Sequence, residues 1–216
     1  MFKLFCLIFL TFLLSEKSIA RIIESKKSGN WTAFSTWKNN QSPLEIDTVK
    51  INVGDTIFIN SSNAVCSVLI NEGVLFFNSS SNNLNVSRAH FKNGLISGRS
   101  LGTISIDTIT IQGNSIIDKC HLSAKKIIIQ DTLKFANKSG LKTFGQFINL
   151  GSVFNPSSEH IELTGPLVNR GTFLFFNGKI SFRKKTEIRG RLNVYAMEIK
   201  DELLNHDTLT ISASIT

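Results

Sequence analysis

Proline, tyrosine and cysteine are scarce in these 216 residues, with three Pro, one Tyr and three Cys. So little Pro excludes a collagen-like or polyproline rod, and so little Cys excludes a small fold stapled by disulfides. Charged residues make up only 19% against 42% hydrophobic, which is incompatible with a disordered polyelectrolyte and sufficient for a substantial core. Helical spacing of apolar residues is missing beyond the N-terminal leader, and no later stretch reaches the roughly 18 uninterrupted apolar residues of a membrane-crossing helix. Chemistry-bearing motifs are missing too. His90, His121, His160 and His206 lie 31, 39 and 46 residues apart, share no phase and belong to no Cys or His ligand motif. Neither a Gly- and Asp-rich calcium repeat nor a phosphate-cradling glycine loop occurs, so no metal and no cofactor is expected.

What is present begins with a leader. Lys3 precedes an apolar run from Leu4 to Leu14, and Ser18-Ile19-Ala20 places small residues at −3 and −1 of a cleavage point. Residues 1–20 therefore read as a secretory signal peptide, which makes Arg21 the first mature residue and the destination secreted or cell-surface. Cys6 sits inside the apolar run rather than at the cleavage point, so it is no lipid-attachment cysteine.

Removing Lys3, Lys17 and Glu16 with the leader leaves 22 basic and 15 acidic residues. An exported chain of that sign attracts acidic polysaccharide, lipopolysaccharide or extracellular DNA. Its basic residues gather at Lys119, Lys125 and Lys126, and at Arg183, Lys184, Lys185, Arg189 and Arg191. Neither cluster is interleaved with the aromatics a single-strand binder needs, which speaks against nucleic acid as a partner and leaves an acidic glycan.

An internal rhythm dominates the rest. Turn residues recur at Gly54, Gly73, Gly94, Gly113, Asp131, Gly151, Gly171, Gly190 and Asp207, at intervals of 17 to 21 residues. Apolar residues follow two positions later at Leu75, Ile96, Leu133, Val153, Phe173, Leu192 and Leu209, and three positions later at Ile57 and Ile116. Stacked copies would make these an internal ladder. Two positions before the turn, Asn52, Asn71, Asn149, Asn169 and Asn205 recur, with Ile111, Ile129 and Ile188 in other copies. Such amides can bond to their own kind from rung to rung as a structural column, or form an exposed polar recognition row. Between turns the pattern is short alternation, as in Val49-Lys50-Ile51, so strands prevail.

A period near 19 with two or three strands per copy predicts an all-β chain folded as a right-handed parallel β-helix, a solenoid of about nine coils forming a rod of roughly 40 Å. A β-sandwich is the alternative, although Asn-Gly hairpin turns are few and the repeat is twice the usual turn spacing. Residues 21–48, polar apart from Trp31, Phe34 and Trp37, read as an N-terminal cap, and 49–216 as the repeats. No polar capping helix follows Thr208-Leu209-Thr210-Ile211, so truncation of a longer chain or end-to-end association through an open last coil is expected.

Gly29-Asn30-Trp31, Trp37, Pro43, Asp47-Thr48-Val49-Lys50-Ile51, Gly54-Asp55-Thr56-Ile57 and Val68-Leu69-Ile70-Asn71-Glu72-Gly73 fall in an order that resembles the eight-glycine extracellular domain. It resembles still more the β-helical N-terminal regions of secreted Bacteroidota surface proteins. The likeness covers about a quarter of the chain. It departs at Lys38-Asn39-Asn40-Gln41, where the family has a glycine-rich segment, and there is no type IX sorting domain. The resemblance implies a surface or secreted scaffold, adhesin-like or polysaccharide-binding, with the paired Trp packed over the first coil. A bacterial host would also leave Asn-x-Ser/Thr sequences such as Asn30, Asn60, Asn78, Asn85 and Asn137 unglycosylated.

Candidate binding residues are accordingly Trp31 and Trp37, as a sugar-stacking platform or as cap packing, and the basic run at Arg183, Lys184, Lys185, Arg189 and Arg191. The competing reading is a polysaccharide lyase or hydrolase. Hydrolysis needs two carboxylates about 5 to 10 Å apart on one face. The sole compact acid–base group is Glu159-His160-Ile161-Glu162, and in the adjacent pair Asp201-Glu202 neighbouring strand residues point to opposite faces. A non-catalytic binding scaffold is the expectation. Cys66 and Cys120, about three coils apart and thus near 14 Å along the axis, are expected to be free thiols.

Overall fold

The computed structural model describes residues 19–155 and 161–215. The signal-peptide reading therefore falls almost entirely outside the described residues, as do Glu159 and His160.

The chain is a parallel β-helix of about eight turns. Nine turn markers bound eight intervals, which is why the count is one below the nine coils expected. Among the described residues every pairing between strands is parallel, which excludes the antiparallel sandwich; one isolated antiparallel bridge, Ser25 to Trp37, lies in the N-terminal segment.

Three sheets run along the rod. The first begins with Ile22–Glu24 and Thr48–Ile51, continues through residues 68–71, 88–92, 108–112 and 126–129, and ends with Phe147–Asn149, Leu167–Asn169, Thr186–Ile188 and Leu203–Asn205. The second begins with Gly29–Asn30, Thr56–Ile59, Val74–Phe77 and Leu95–Gly98, and continues through Asn114–Asp118, Thr132–Ala136 and Ser152–Asn155. The third comprises residues 64–66, 83–86, 102–106 and 120–124, then Gly140–Thr143, Ile161–Leu163 and residues 179–182.

Alternation places every second side chain inside. One interior column reads Ile23, Val49, Leu69, Ala89, Ile109, Ile127, Phe147, Leu167 and Thr186, in continuous register. All nine are buried, and each large aliphatic or aromatic member stabilises the rod by about 1.5–3 kcal/mol through removal from water.

Two expectations about the columns need correction. Ile116 was expected inside, but it faces outward and pairs with Leu95, while Ile117 stacks on Ile96 and Ser115 is the buried partner of Leu133. A shift of one residue in a strand exchanges its faces, and here it divides one expected ladder into two. Asn52 does not belong to the Asn column. The register runs Ile51, Asn71, Phe91, Ile111, Ile129, Asn149, Asn169, Ile188 and Asn205, and Asn52 instead donates its amide to the Ser25 carbonyl at 2.8 Å.

Pairing also starts earlier than expected. Ile22–Glu24 and Gly29–Asn30 lie within the segment expected to be a cap, yet they pair in register with Thr48–Lys50 and Ile57–Phe58. The rest of that segment closes the rod with two short 3-10 turns, Phe34–Thr36 and Lys38–Asn40, and with the buried rings of Trp31 and Trp37.

The corners change character along the rod. In Ala64–Asn71, Asn83–Lys92, Gly102–Gln112 and Cys120–Ile129 a single long strand bends from the third sheet into the first. Beyond Thr143 that strand breaks, and in Thr172–Phe182 and Leu192–Ile199 the continuous bend joins the second sheet to the third instead.

Candidate functional site

The bend between third and first sheets forms a groove of about 350 Å³ along the rod. Its floor is an outward row in register, Val65, Asn85, Ser105 and Ser123. Ser87, Asp107 and Lys125 stand at the bend itself, at positions that drop out of the ladder pairing between the two sheets. The bend makes the surface concave, with the polar groups of Asn85, Ser87, Ser105 and Ser123 set among apolar side chains such as Val65 and Val86. Glu45, from the N-terminal segment, also lines the groove.

Phe144 completes it. The strand ends at Thr143, and the chain leaves the sheet through Phe144 and Gly145 before Phe147 resumes the first sheet. A Cβ on Gly145 would lie 2.2 Å from the Lys125 carbonyl oxygen, so the close approach there admits only glycine. The excursion leaves the Phe144 ring 56% exposed, with the Lys142 ammonium 5.3 Å from its centroid.

Among the described residues the groove's carboxylates are Glu45 and Asp107, of which Asp107 is bound to the Lys125 ammonium at 2.6 Å; Glu162, Asp201 and Glu202, singled out in the sequence, lie outside it. Glu162, from the acid–base group singled out in the sequence, is occupied by Lys142 at 3.1 Å and by Arg183 at 2.9 Å. Glu202 is held by Lys185 at 2.9 Å. Among the described residues no group of His, Cys, Asp and Glu could hold a metal ion, and no helix is long and apolar enough to cross a membrane.

The sequence-predicted candidates fall elsewhere. Trp31 and Trp37 are 3% and 0% exposed, packed edge to face with centroids 5.5 Å apart, and the Trp37 Nε1–H donates to the Trp31 carbonyl at 2.8 Å. Neither indole offers a face to solvent, which corrects the sugar-platform reading: the rings are needed to close the first coil. In the basic run, Arg183 and Lys185 are ion-paired as above, Arg189 binds Glu187, and Arg191 reaches the Asn193 side-chain oxygen at 3.5 Å. Lys184 is exposed beside them. The run is thus largely neutralised by carboxylates rather than gathered as a bare cationic strip. Lys119 and Lys125, neighbours in sequence, are parted to opposite edges of the third sheet.

The Asn column lies inside at Asn71, Asn149 and Asn169, and is exposed at Asn205. Asn149 donates to the Asn169 side-chain oxygen at 2.7 Å and to the Thr172 carbonyl at 3.0 Å, while Asn169 donates to the Arg191 carbonyl at 3.1 Å and Asn71 to the Leu95 carbonyl at 3.3 Å. Each buried amide ties the end of a first-sheet strand to the start of the second-sheet strand one coil on. Buried inside the rod, these three amides are out of reach of an external ligand.

Sequence reasoning missed Asn85, Ser87, Ser105, Ser123 and Phe144. The available signal was slight: Ser67 and Ser87 are one coil apart at the bend, and Ser105 and Ser123 one coil apart in the floor row, so the serines recur without forming a single column. Frames anchored on the glycine turns passed over it because this corner contains no turn residue. No family model, no curated protein and no solved structure matches the chain.

Proposed function

We propose that this chain is a non-catalytic β-helix scaffold of the cell surface or extracellular space, adhesin-like, that holds a glycan along the groove between its third and first sheets. The observation that carries the reading is the polar row Asn85, Ser105 and Ser123, in register, with the exposed ring of Phe144 lining the same groove. Parallel stacking repeats such groups about every 4.8 Å, comparable to the length of one sugar ring. Hydroxyl and amide groups both donate and accept, as sugar hydroxyls do, and an aromatic ring supplies the apolar contact that a sugar's C–H face requires. Because the row is built on continuous strands, little ordering cost is incurred on binding. The apolar leader and the resemblance of residues 29–77 to secreted β-helical proteins support the location.

The test is calorimetric titration of residues 21–216 with a panel of neutral and acidic polysaccharides, alongside Phe144→Ala and Ser123→Arg. At least one glycan should bind, and each variant should weaken that binding by about tenfold. A panel without binding, or binding indifferent to both substitutions, would remove the groove from consideration. Release of reducing or unsaturated ends from any bound polymer would replace the scaffold reading with catalysis.

A further inference from the structure

The corner opposite the groove, where the second sheet turns into the third, holds a second cavity of about 600 Å³. Arg99, Lys119 and Lys138 line it together with Asn137. These residues come from three different coils, after Leu95–Gly98, Asn114–Asp118 and Thr132–Ala136, so the fold rather than the local sequence gathers their charge. We propose that this corner is an anion site that binds sulfate or phosphate esters borne on an acidic polysaccharide.

Three observations carry this. First, the corner gathers three cations with no carboxylate set against them, whereas ten basic residues elsewhere among the described residues are ion-paired, Lys50, Lys125, Lys142, Lys179, Arg183 and Lys185 among them within 3.4 Å of a carboxylate. Arg99, Lys119 and Lys138 have no such partner among the described residues. Asp118, adjacent to Lys119 in sequence, is engaged by the Ser97 hydroxyl at 3.1 Å and the Asn137 amide at 2.9 Å rather than by a cation. Second, Lys119, Asn137 and Lys138 have φ of 53°, 41° and 61°. Glycine would turn the corner without cost, whereas lysine in the left-handed region is uncommon and costs on the order of 1 kcal/mol. Two lysines thus hold their charge at this corner at a backbone cost that glycine or asparagine would lower. Third, the outer face of the third sheet between this corner and the groove is polar: the rows Thr103 and His121, then Ser105 and Ser123, leave no large apolar side chain in the way. That face is about four residues or 13 Å wide, so a polymer lying across it can place a charged substituent in the corner while a sugar ring occupies the groove.

The carrier in this proposal rests on the glycan reading above; the anion preference does not. Residues 21–216 are titrated with dextran sulfate, neutral dextran and inorganic phosphate. The corner variant combines Arg99→Gln, Lys119→Asn and Lys138→Asn, with Asn chosen because it tolerates positive φ. A second variant, Lys26→Gln, Lys27→Gln and Lys92→Gln, removes the same charge elsewhere on the exposed surface. Thermal melts verify that both fold.

The expected result is a loss of about tenfold or more in dextran sulfate affinity for the corner variant, and less than about threefold for the charge-matched one. Equal losses would mean generic attraction, and no loss would mean no site; either overturns the proposal. Saturable binding of inorganic phosphate as tight as that of the polymer would reassign the corner to a free anion. If Phe144→Ala has no effect on any glycan while the corner variant still selectively loses dextran sulfate, the groove reading fails and the anion site stands.

Discussion

Asp47 and Arg21 form a closed pair at the start of the rod. The Asp47 side chain has no exposed surface, and its carboxylate accepts Arg21 Nε at 3.1 Å, Arg21 Nη2 at 2.6 Å, the Arg21 backbone N–H at 3.1 Å and the Leu44 N–H at 2.8 Å. Burial pushes the Asp47 carboxyl up, but these hydrogen bonds outweigh it and hold the group below the usual carboxylate range. Asp47→Ala is expected to cost about 2–3 kcal/mol in urea unfolding, because four donors lose their acceptor. The pH dependence follows from the direction of the shift. A carboxyl with a depressed folded pKa stabilises fully above its unfolded value near pH 4, and that contribution is lost as pH falls through the lower folded value. Urea midpoints between pH 2 and 6 should fall on the acid side in the parent and fall less in Asp47→Ala. Parallel curves would mean the pair is not coupled to folding.

Glu198 acts in the same sense at the other end of the rod. Hydrogen bonds from Lys200, Ser181 and Lys179 hold its carboxyl down to about 2. Ser181 donates at 3.0 Å, and the two ammonium groups lie at 3.1 and 3.2 Å. Its contribution is likewise present above about pH 4 and lost only near pH 2. This site is open to water, so 1 M salt should erase most of the Glu198→Gln effect on the melting temperature while leaving that of Asp47→Ala in place.

Closure of the first coil rests on Trp37, fully buried against Trp31. Trp37→Ala should cost about 3–5 kcal/mol, whereas Trp37→Phe keeps most of the contact and loses the bond to the Trp31 carbonyl. Iodide should quench tryptophan emission poorly in the parent, and glycan should leave the emission unchanged. A glycan-dependent emission change would restore the indoles as a binding platform.

Much of this architecture was legible because the chain repeats itself. Gly151 and Gly171 were read as turn residues, and they do mark the corner, yet neither has a positive φ. Their necessity is contact between coils: a Cβ on Gly171 would lie 2.0 Å from the Gly151 carbonyl oxygen, and one on Gly151 equally close to that of Asp131. Periodicity finds such positions without knowing their cause. What it missed depends on register and on distance along the chain. Whether Ile116 or Ile117 turns inward is decided by pairing with Leu95 and Ile96, which composition does not encode. Arg99, Lys119 and Lys138 are 39 residues apart at their extremes and meet only because the coil closes. Conversely, the basic run at residues 183–191 looks potent on paper because its carboxylate partners Glu162 and Glu202 lie on neighbouring coils.

The buried amides make a further test of coil-to-coil coupling. Asn149→Ala removes the donor to both the Asn169 side chain and the Thr172 carbonyl, and should cost about 2 kcal/mol. Replacing Asn149 and Asn169 together by Ile extends the column of Ile111, Ile129 and Ile188, and removes both ends of one hydrogen bond at once. The double substitution should therefore cost less than the sum of the two single Ile substitutions in a urea cycle. Additive losses would show that the amides act independently on their carbonyls.

The two described cysteines offer a direct check on the coil frame. Cys66 lies in register with Val86, Ile106 and Ala124 in successive coils, while Cys120 pairs with Gly102, so the two are three coils and about 14 Å apart along the axis. Both are free and buried. Burial first, and the nearby Asp118 charge second, push the Cys120 thiol up to about 12; burial and Asp47 push Cys66 in the same direction. At pH 8 a thiol of that pKa is thiolate in only about one molecule in ten thousand, and access is blocked by the packed interior. Residues 21–216 should thus show almost no reaction with a thiol reagent when native, and reaction of both thiols in 8 M urea, with identical mobility under reducing and non-reducing electrophoresis. Because reaction requires opening of the third sheet, the native rate should rise with urea in step with unfolding. A fast native reaction, or a disulfide joining Cys66 to Cys120, is incompatible with three intervening steps of parallel register and would require a different winding of residues 64–124.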